Sequence, residues 1–337
     1  MNPSKLIFLF TLFSGTLITM SSSSWIGMWI GLELNLLSFI PLMNNNFNLT
    51  STEAAIQYFL VQAFASLIFL FASIVSIMKF SFFNYFFFNY ENLIINFSML
   101  IKLGSAPFQF WFPNIVEGLT WMNTMILFTW QKLGPLSILS YSYLSSLIIM
   151  VILMSSFIGA IGGFNQTSLR KLLAFSSINH ISWLLAAELY SNSLWLMYFL
   201  IYSFINFSII ILFKNFNFFH LNQIFMNKNN RPIMKFCFFL NILSLGGLPP
   251  FLGFLPKWLI IENMMKLEMF FLMFFMIMMT LITLFFYTRL TFSAILLYYP
   301  SLKWKTLSWQ INKLTPMIIM NLMNIFFMVF FLWNNFF

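Results

Sequence analysis

Apolar segments long enough to cross a bilayer follow one another along almost the whole chain, with short polar gaps between them. Of the 337 residues, 61% are hydrophobic and 7% are charged, and the mean hydropathy is +0.90. Soluble domains carry roughly 25% charged residues, so a soluble fold is excluded. One span needs about 20 apolar residues, and the chain has room for about eleven. The sequence therefore predicts an all-α polytopic membrane protein of about 11 transmembrane helices.

The apolar runs and the turn residues between them place these helices along the chain. They cover residues 3–20, 24–43, 53–78, 93–119 (broken), 121–144, 147–163, 169–187, 193–213, 236–262 (broken), 269–297 and 316–335. The segments 81–92 and 214–231 are rich in Asn and are predicted to be loops. The first span lacks a cleavage site and is followed at once by a second, so we expect it to be retained as a helix.

Two of the predicted helices carry the same interruption, 143 residues apart. The pattern Gly-x-x-Pro-Phe-x-x-x-x-Pro occurs at Gly104, Pro107, Phe108 and Pro113, and again at Gly247, Pro250, Phe251 and Pro256, with Pro249 beside the second copy. Proline has no backbone donor, so Pro107 leaves the carbonyl of Leu103 free and Pro250 that of Gly246. Such groups are tolerated in a bilayer only where they are buried in protein or line a wet cavity. Paired interruptions indicate a transporter's working site, although two ordinary proline kinks in a Phe-rich chain are the alternative.

The broken helices are the fourth and the ninth, so helices 1–5 and 6–10 are predicted to form two repeats. An odd number of spans inserts the second copy upside down, which is the inverted-repeat design of many transporters. On this hypothesis, a single transmembrane domain over 1–337 contains a first repeat at 1–145 and a second at 146–298. A loop and a C-terminal helix follow at 299–337. Apart from the broken helices, the halves show no convincing sequence match.

The basic residues lie almost entirely on one side of this topology. With the N-terminus on side A, that side holds Lys5, Arg170, Lys171, Lys214, Lys228, Arg231, Lys235, Lys303, Lys305 and Lys313, against Lys79 and Lys266 on side B. Because positively charged loops stay inside, the N-terminus is predicted inside and the C-terminus outside. The asymmetry accounts for the net charge of +9 without nucleic acid.

Four charged residues fall beside the breaks or inside the spans. Glu33 lies near the middle of the second helix and Lys132 near the middle of the fifth, while Lys102 and Lys257 flank the breaks. A charge at the centre of a membrane helix costs about 2.5–3.5 kcal/mol, which packing alone does not explain. Structural ion pairs are the alternative, but three lysines outnumber one glutamate. A buried lysine can release its proton near neutral pH and an arginine effectively cannot, which favours proton transfer.

The remaining ionisable residues divide into one interior position and several near helix ends. His180 lies well inside the seventh helix and is either a proton relay or a packing residue. His220 is expected at the membrane interface, and Arg289 is expected to extend toward side A. Glu117 and Glu188 lie near helix ends and are expected to be solvated.

Cysteine usage limits the redox chemistry that this chain can carry. Cys237 is the single cysteine, so a disulfide within the chain and a Cys-ligated iron–sulfur cluster are excluded. No Gly-rich dinucleotide loop is present. We therefore expect this chain to bind neither a cofactor nor a metal.

The segments that carry these features resemble a known family. They are Trp25–Asn35, Lys102–Pro113, Gly118–Met122, Trp130–Lys132, Gly162–Lys171, Phe175–His180 and Leu245–Trp258. They are similar to chain 2 of mitochondrial NADH:ubiquinone oxidoreductase (respiratory complex I), an antiporter-like membrane subunit, most closely in its insect form. The resemblance covers almost the whole chain and is weakest at 80–92 and after Tyr298.

This resemblance implies a core membrane-arm subunit of a proton pump in the mitochondrial inner membrane. The N-terminus would lie in the matrix and the C-terminus in the intermembrane space. Protons would cross along a central polar axis, driven by redox chemistry in other subunits. Glu33 would be the switch carboxylate facing the adjacent subunit, and Lys102 the main proton holder. Lys132 would bridge to the second half, Lys257 would be the terminal site, and His180 would be a further member.

The resemblance also implies partners and leaves two other functions open. The partners would be the other membrane-arm subunits, including antiporter-like chain 4 and small chain 4L, with accessory subunits and lipids such as cardiolipin, but no nucleic acid. NADH, FMN, iron–sulfur clusters and ubiquinone would be bound by other subunits. A stand-alone cation/proton antiporter would need a carboxylate in the core, where only Glu33 is available. A purely structural scaffold would tolerate alanine at Lys102 and Lys132.

Overall fold

The computed structural model describes residues 3–44, 48–78, 88–226 and 232–296, and over these ranges the chain is helical, without a strand. The helices in this part of the chain are α1 (Pro3–Ser21), α2 (Trp25–Met43), α3 (Leu49–Met78), α4 (Phe88–Leu103), α5 (Trp111–Gly118), α6 (Trp121–Phe128), α7 (Trp130–Ser142), α8 (Ser145–Gly163), α9 (Leu169–Glu188), α10 (Asn192–Phe216), α11 (Leu221–Met226), α12 (Pro232–Gly246), α13 (Phe254–Lys266) and α14 (Phe270–Leu296). The all-α prediction is confirmed.

Within the described ranges, six helices are long and apolar enough to cross a membrane, namely α1, α2, α3, α8, α10 and α14. Helix α9 is also 20 residues long, but it carries polar and ionisable side chains, and 17 of its residues are buried within the protein. Helices α4 and α5, and α12 and α13, are the two parts of the interrupted segments. This chain is therefore a multi-pass membrane protein.

The helix ends differ from the predicted ones by a few residues, with three larger differences. The predicted helix 121–144 is divided at Thr129, whose backbone stays in the right-handed region but is distorted, with φ −111° and ψ −74°. Six residues later, Pro135 has no backbone N–H to donate to the carbonyl of Gln131. The first turn of α7 therefore lacks one of the usual helical hydrogen bonds. The predicted loop 81–92 is too long because α4 begins at Phe88, and the predicted loop 214–231 contains α11. The predicted helix 316–335 lies outside the described residues.

The chain divides into two compact units, Met1–Ser155 and Ser156–Phe337. In the first unit, α1 packs on α2, while α4 packs on α3 and α7. In the second unit, α10 packs on α9, α12 and α13, and α14 packs on α12 and α13. Each unit therefore surrounds its own interrupted helix with complete ones.

Small residues let α1 and α2 approach closely. A Cβ added to Gly15 would lie 2.9 Å from the carbonyl oxygen of Gly31, and one added to Gly31 would lie 2.7 Å from that of Gly15. Close backbone approach at small residues is a main source of attraction between membrane helices, since lipid supplies no hydrophobic effect between them. This contact holds α2, which carries Glu33, against α1.

Candidate functional site

Both interrupted helices end in the same backbone motif. Gly104 follows α4 with φ +69° and Gly247 follows α12 with φ +83°, a left-handed conformation that glycine adopts without strain. The next residue, Ser105 or Leu248, donates its N–H to the carbonyl five residues earlier, at 3.2 and 3.4 Å. These bonds form a Schellman cap at each end. The helices therefore stop at glycine, before the chain reaches the prolines.

The chain also resumes its helix in the same way after each break. Helix α5 begins at Trp111 and α13 at Phe254, seven residues beyond the glycine in both copies. Pro113 and Pro256 lie in the first turn, where a missing N–H costs no helical bond. The two breaks thus share spacing and caps.

The carbonyls at the two helix ends are bound by different groups. In the second unit, the ammonium of Lys257 donates to the carbonyl of Gly246 at 2.8 Å. In the first unit, the amide Nε2 of Gln62 donates to the carbonyl of Lys102 at 3.2 Å. The break in the first unit is therefore held by a neutral side chain, so the ammonium of Lys102 is not occupied in closing the helix end.

Lys102 and Lys132 line the same small crevice in the first unit. Their side chains are buried, at 6% and 2% exposure. The Nζ of Lys132 lies 5.6 Å from the ring centre of Phe112 and 6.0 Å from that of Phe128, where the aromatic faces attract a cation. The structure thus brings two of the predicted lysines to the same crevice.

Neutral polar side chains form the rest of the polar lining of this crevice. Tyr58 donates its hydroxyl to Oε1 of Gln131 at 3.3 Å, and Nε2 of Gln131 donates to Oδ1 of Asn35 at 2.9 Å. Helices α3, α7 and α2 are thereby joined beside Lys132. We did not single out these residues or Gln62 from the sequence. The available signal was the spacing of Tyr58 and Gln62, which places two polar groups on one face of an apolar helix.

Glu33 is half-buried on α2 and interacts electrostatically with Lys102. Among the described side chains, however, these two do not approach within the 4.0 Å of an ion pair. A locked salt bridge between them is therefore not what holds this part of the bundle together. The carboxylate influences the lysine at a distance.

In the second unit, His180 joins α9 to α10. Its Nδ1 and the hydroxyl of Tyr198 share a hydrogen bond of 2.8 Å, and its ring centre lies 4.9 Å from that of Tyr202. The hydroxyl of Tyr202 in turn bonds to Ser177, one turn before His180. A buried imidazole bonded to a phenol can pass a proton or can simply be satisfied, so both interpretations of His180 stay open. The tyrosines were not identified from the sequence.

Lys257 lies between the end of α12 and α9. Besides its bond to the Gly246 carbonyl, its Nζ lies 5.9 Å from the ring centre of Trp183. Trp183 is one turn from His180 on α9, so the second unit gathers its lysine and its histidine around one helix. Within the described ranges, no cluster of three His, Cys, Asp or Glu side chains could hold a metal ion.

The predicted solvation of Glu188 is wrong. Its side chain is 5% exposed, because the last turn of α9 is as tightly packed as the rest of that helix. Glu117 is exposed as predicted, and His220 is exposed as well. Arg289 is exposed and its guanidinium lies 5.9 Å from the ring centre of Phe164.

Comparison with known proteins identifies the family. The family model for the transmembrane region of NADH:quinone oxidoreductase/Mrp antiporters matches residues 22–283. The chain is 48% identical over 325 residues to NADH-ubiquinone oxidoreductase chain 2 of Anopheles gambiae, covering 95% of this chain and 94% of that protein. With the same protein of Aedes aegypti it is 52% identical over 321 residues, with the same coverage. The chain belongs to the NADH-ubiquinone oxidoreductase chain 2 family. The resemblance found in the sequence is confirmed.

Solved structures show the fold of this family at much lower identity. A chain of respiratory complex I from Thermus thermophilus with bound aureothin superposes with a TM-score of 0.84 at 18% identity, covering 96% of this chain and 78% of that chain. A chain of the Mrp complex from Dietzia sp. DQ12-45-1b superposes with a TM-score of 0.74 at 16% identity. The match covers 84% of this chain and 59% of that chain. The antiporter-like helical fold is therefore common to chain 2 and to these complexes.

One glycine beside the second break is required by close backbone contact. A Cβ at position 253 would overlap with the carbonyl oxygen of Ser244, and two backbone segments cannot move apart as a flexible side chain can. We expect Gly253→Ala to destabilise the subunit by about 1–3 kcal/mol, the usual cost of overpacking. Gly246→Ala is the matched control, since its Cβ would lie 3.4 Å from the ring of Tyr287. The stability of both variants can be measured by thermal unfolding of the assembled complex. Equal stability of Gly253→Ala and Gly246→Ala would contradict the close contact.

Proposed function

We propose that this chain is a core membrane-arm subunit of mitochondrial NADH:ubiquinone oxidoreductase and that it translocates protons across the inner membrane. The observation that carries the proposal is the pair of buried lysines, Lys102 and Lys132, on one polar crevice. Membership of the chain 2 family indicates the enzyme of which this chain would be a subunit. On this proposal the chain is part of an H⁺-translocating NADH:ubiquinone reductase and carries no redox centre itself.

In the first unit, Lys102 holds the proton and Lys132 receives it. Lys132 accepts the proton as a neutral amine and becomes an ammonium group while Lys102 becomes the neutral amine. The crevice is polar, and a water molecule between the two side chains would find partners in the amides and the phenol around it. Glu33 stabilises the protonated form of Lys102 by its charge. When Glu33 gains a proton or turns toward an adjacent subunit, that stabilisation is lost and Lys102 releases its proton toward Lys132. The carboxylate is therefore the switch and the lysine the carrier.

In the second unit, Lys257 and His180 continue the path. Lys257 is held by the Gly246 carbonyl, which a neutral amine can also bind, so the side chain keeps its place in both protonation states. His180 is connected through Tyr198, whose hydroxyl can donate and accept at once. Lys132 connects the first half of the path to the second, as the family resemblance implies.

The architecture that we propose has eleven spans in two inverted five-helix repeats, 1–145 and 146–298, followed by 299–337. The identical spacing of the two breaks supports a common origin for the repeats. In this arrangement the N-terminus lies in the matrix and the C-terminus in the intermembrane space.

The orientation can be tested with tags at the two ends of the chain. A C-terminal tag should be cut by protease from the outer face of the inner membrane, and an N-terminal tag only from the matrix. Swapped accessibility would rule out this orientation.

The partners and energy source follow from the proposed enzyme. The chain would contact other membrane-arm subunits, among them antiporter-like chain 4 and small chain 4L, accessory subunits and lipids such as cardiolipin. The electrons would pass from NADH to ubiquinone through FMN and iron–sulfur clusters in other subunits. Redox energy would reach this chain as a change in the position or protonation of Glu33.

A stand-alone cation/proton antiporter is the second candidate, favoured by the likeness to an Mrp complex chain. The crevice of the first unit, however, is lined by ammonium, amide and phenol groups. These groups transfer protons through water, whereas a metal cation prefers carboxylate ligands.

The experiment that tests the proposed function measures protons moved per NADH oxidised by the intact complex in sealed vesicles. The informative change is at Lys102, because this residue both lines the crevice and interacts with Glu33. A full pumping ratio without an ionisable group at position 102 would overturn the proposal.

A further inference from the structure

Glu188, the last residue of α9, is buried without a partner. Both carboxyl oxygens are inaccessible to solvent and make no hydrogen bond to any described residue. An ionised carboxylate in such a place costs many kcal/mol, so the group is held in its neutral, protonated form. Buried unsatisfied groups are rare in folded proteins, and an ionisable one inside a membrane protein points to function.

A second unpartnered group lies on the neighbouring helix, about one turn short of the level of Glu188. Contacts of His180 with Tyr198 and of Ser177 with Tyr202 set the antiparallel register of α9 and α10. One turn beyond Tyr198 in the direction of Glu188 is Trp195. It is 4% exposed and its Nε1–H has no acceptor among the residues described.

These two orphaned groups are complementary. The indole Nε1–H can only donate, and the carbonyl oxygen of the Glu188 carboxyl can accept. Buried water commonly satisfies such groups, and water that enters this end of the unit would find a donor in Trp195 and an acceptor in Glu188. Glu188 shares a helix face with Ser177, three turns earlier, so it lies on the side of α9 that faces α10.

Glu188 also lies at the end of α9 where the chain turns back. The hydroxyl of Tyr190, just past α9, donates to Sδ of Met269, which directly precedes α14. The turn after α9 and the turn before α14 are therefore at the same end of the second unit. In the proposed orientation that end faces the intermembrane space. From His180 to Glu188 the helix rises roughly 12 Å, at about 1.5 Å per residue.

We propose that Glu188 is the outlet proton site of the second unit, receiving protons from His180 and Lys257 and releasing them to the intermembrane space. This inference rests on the proposed function. In each cycle the Glu188 carboxylic acid first loses its O–H proton to outer water, leaving a carboxylate. A proton from the Lys257 ammonium or the His180 imidazolium then crosses through transient water and forms the O–H bond again. No other reactant is required.

The apolar segment between the two sites explains why protons do not leak back. Residues 181–187 are all buried, and apart from Ser182 and the indole of Trp183 their side chains are hydrocarbon. Water must enter this segment for a proton to pass, so it serves as a gate between the axis and the outlet. The titratable residues on α10 and α13, which pack against α9, are Tyr198, Tyr202, Lys214, Lys257, Glu262 and Lys266, and Tyr287 on α14 faces Ser176 of α9. Glu262 and Lys266 are paired with each other at 2.8 Å.

Carbodiimide labelling of the intact complex tests the state of Glu188 directly. Dicyclohexylcarbodiimide reacts with protonated carboxyl groups in apolar surroundings and leaves a stable adduct that peptide mass spectrometry locates. We expect an adduct on Glu188 and none on the exposed, ion-paired Glu262. A complex in which Glu188 stays unmodified while apolar carbodiimide reaches other buried sites would overturn the inference.

Pumping by Glu188→Gln decides whether the carboxyl carries protons. Glutamine keeps the size of the side chain but cannot exchange a proton, so we expect the protons moved per NADH to fall as far as in Lys257→Gln. Glu117→Gln, at an exposed position, is the matched control and should keep the full ratio. A full ratio in Glu188→Gln with a reduced one in Lys257→Gln would overturn the outlet and leave the proposed function standing. Full ratios in both, and in Lys102→Ala, would overturn the proposed function itself.

Discussion

Replacing Lys102 by arginine is expected to abolish the contribution of this subunit to proton pumping, although the positive charge is retained. Arginine keeps a cation near Glu33, but its guanidinium does not release a proton near neutral pH. Groups that transfer protons commonly contribute about 10²–10⁴-fold to a rate, so the path through the crevice becomes too slow for turnover. The break itself stays intact, because Gln62 binds the carbonyl of residue 102 and not its side chain. The complex should therefore assemble and pump fewer protons per NADH.

The comparison with alanine separates charge from proton exchange at this position. If Lys102 were only an electrostatic partner of Glu33, the arginine variant would pump nearly normally and Lys102→Ala would destabilise the subunit. If it carries protons, both variants assemble, as judged on native gels, and arginine pumps no better than alanine. Lys266→Ala removes an exposed lysine paired with Glu262 and is the control. Wild-type stoichiometry in Lys102→Arg would falsify the carrier role.

Glu33→Gln is expected to uncouple the chain from the redox reaction. Glutamine matches glutamate in size and hydrogen bonding, but it removes the charge that acts on Lys102. Glu33 forms no ion pair with Lys102, so its loss should leave the packing of α2 and the assembly of the complex intact. NADH oxidation that generates a proton gradient should fall, and the fall should resemble that in Lys102→Arg because both changes interrupt the same step.

An exposed glutamate in the same unit provides the control for this result. Glu53 lies in the first turns of α3 with its side chain exposed, so Glu53→Gln should pump normally. Combining Glu33→Gln with Lys102→Arg should add little to either single change, since residues on one path are not additive. Unchanged pumping in Glu33→Gln would reduce Glu33 to a packing residue.

Local patterns in the sequence determined the class of the protein and the positions of most helices. Hydrophobic length and turn residues are properties of one segment at a time, so they placed α1, α2 and α8 almost to the residue. The cost of a charge inside an apolar helix likewise marked Lys102 and Lys132 before any contact was known. The split at Thr129 was missed, because it depends on a single backbone turn with no strong residue signal.

Only the tertiary structure decided which polar groups meet and which are left alone. The hydrogen bonds from Tyr58 to Gln131 and from Gln131 to Asn35 join three helices far apart in sequence, and no spacing rule within one helix reveals them. The burial of Glu188 likewise could not be predicted from the sequence. A glutamate at a helix end is solvated if the end is open and buried if neighbouring helices cover it, and its own sequence surroundings are the same in both cases. Burial belongs to the packing of several segments, and so the sequence predicted the fold class and the buried lysines but not the partners that surround them.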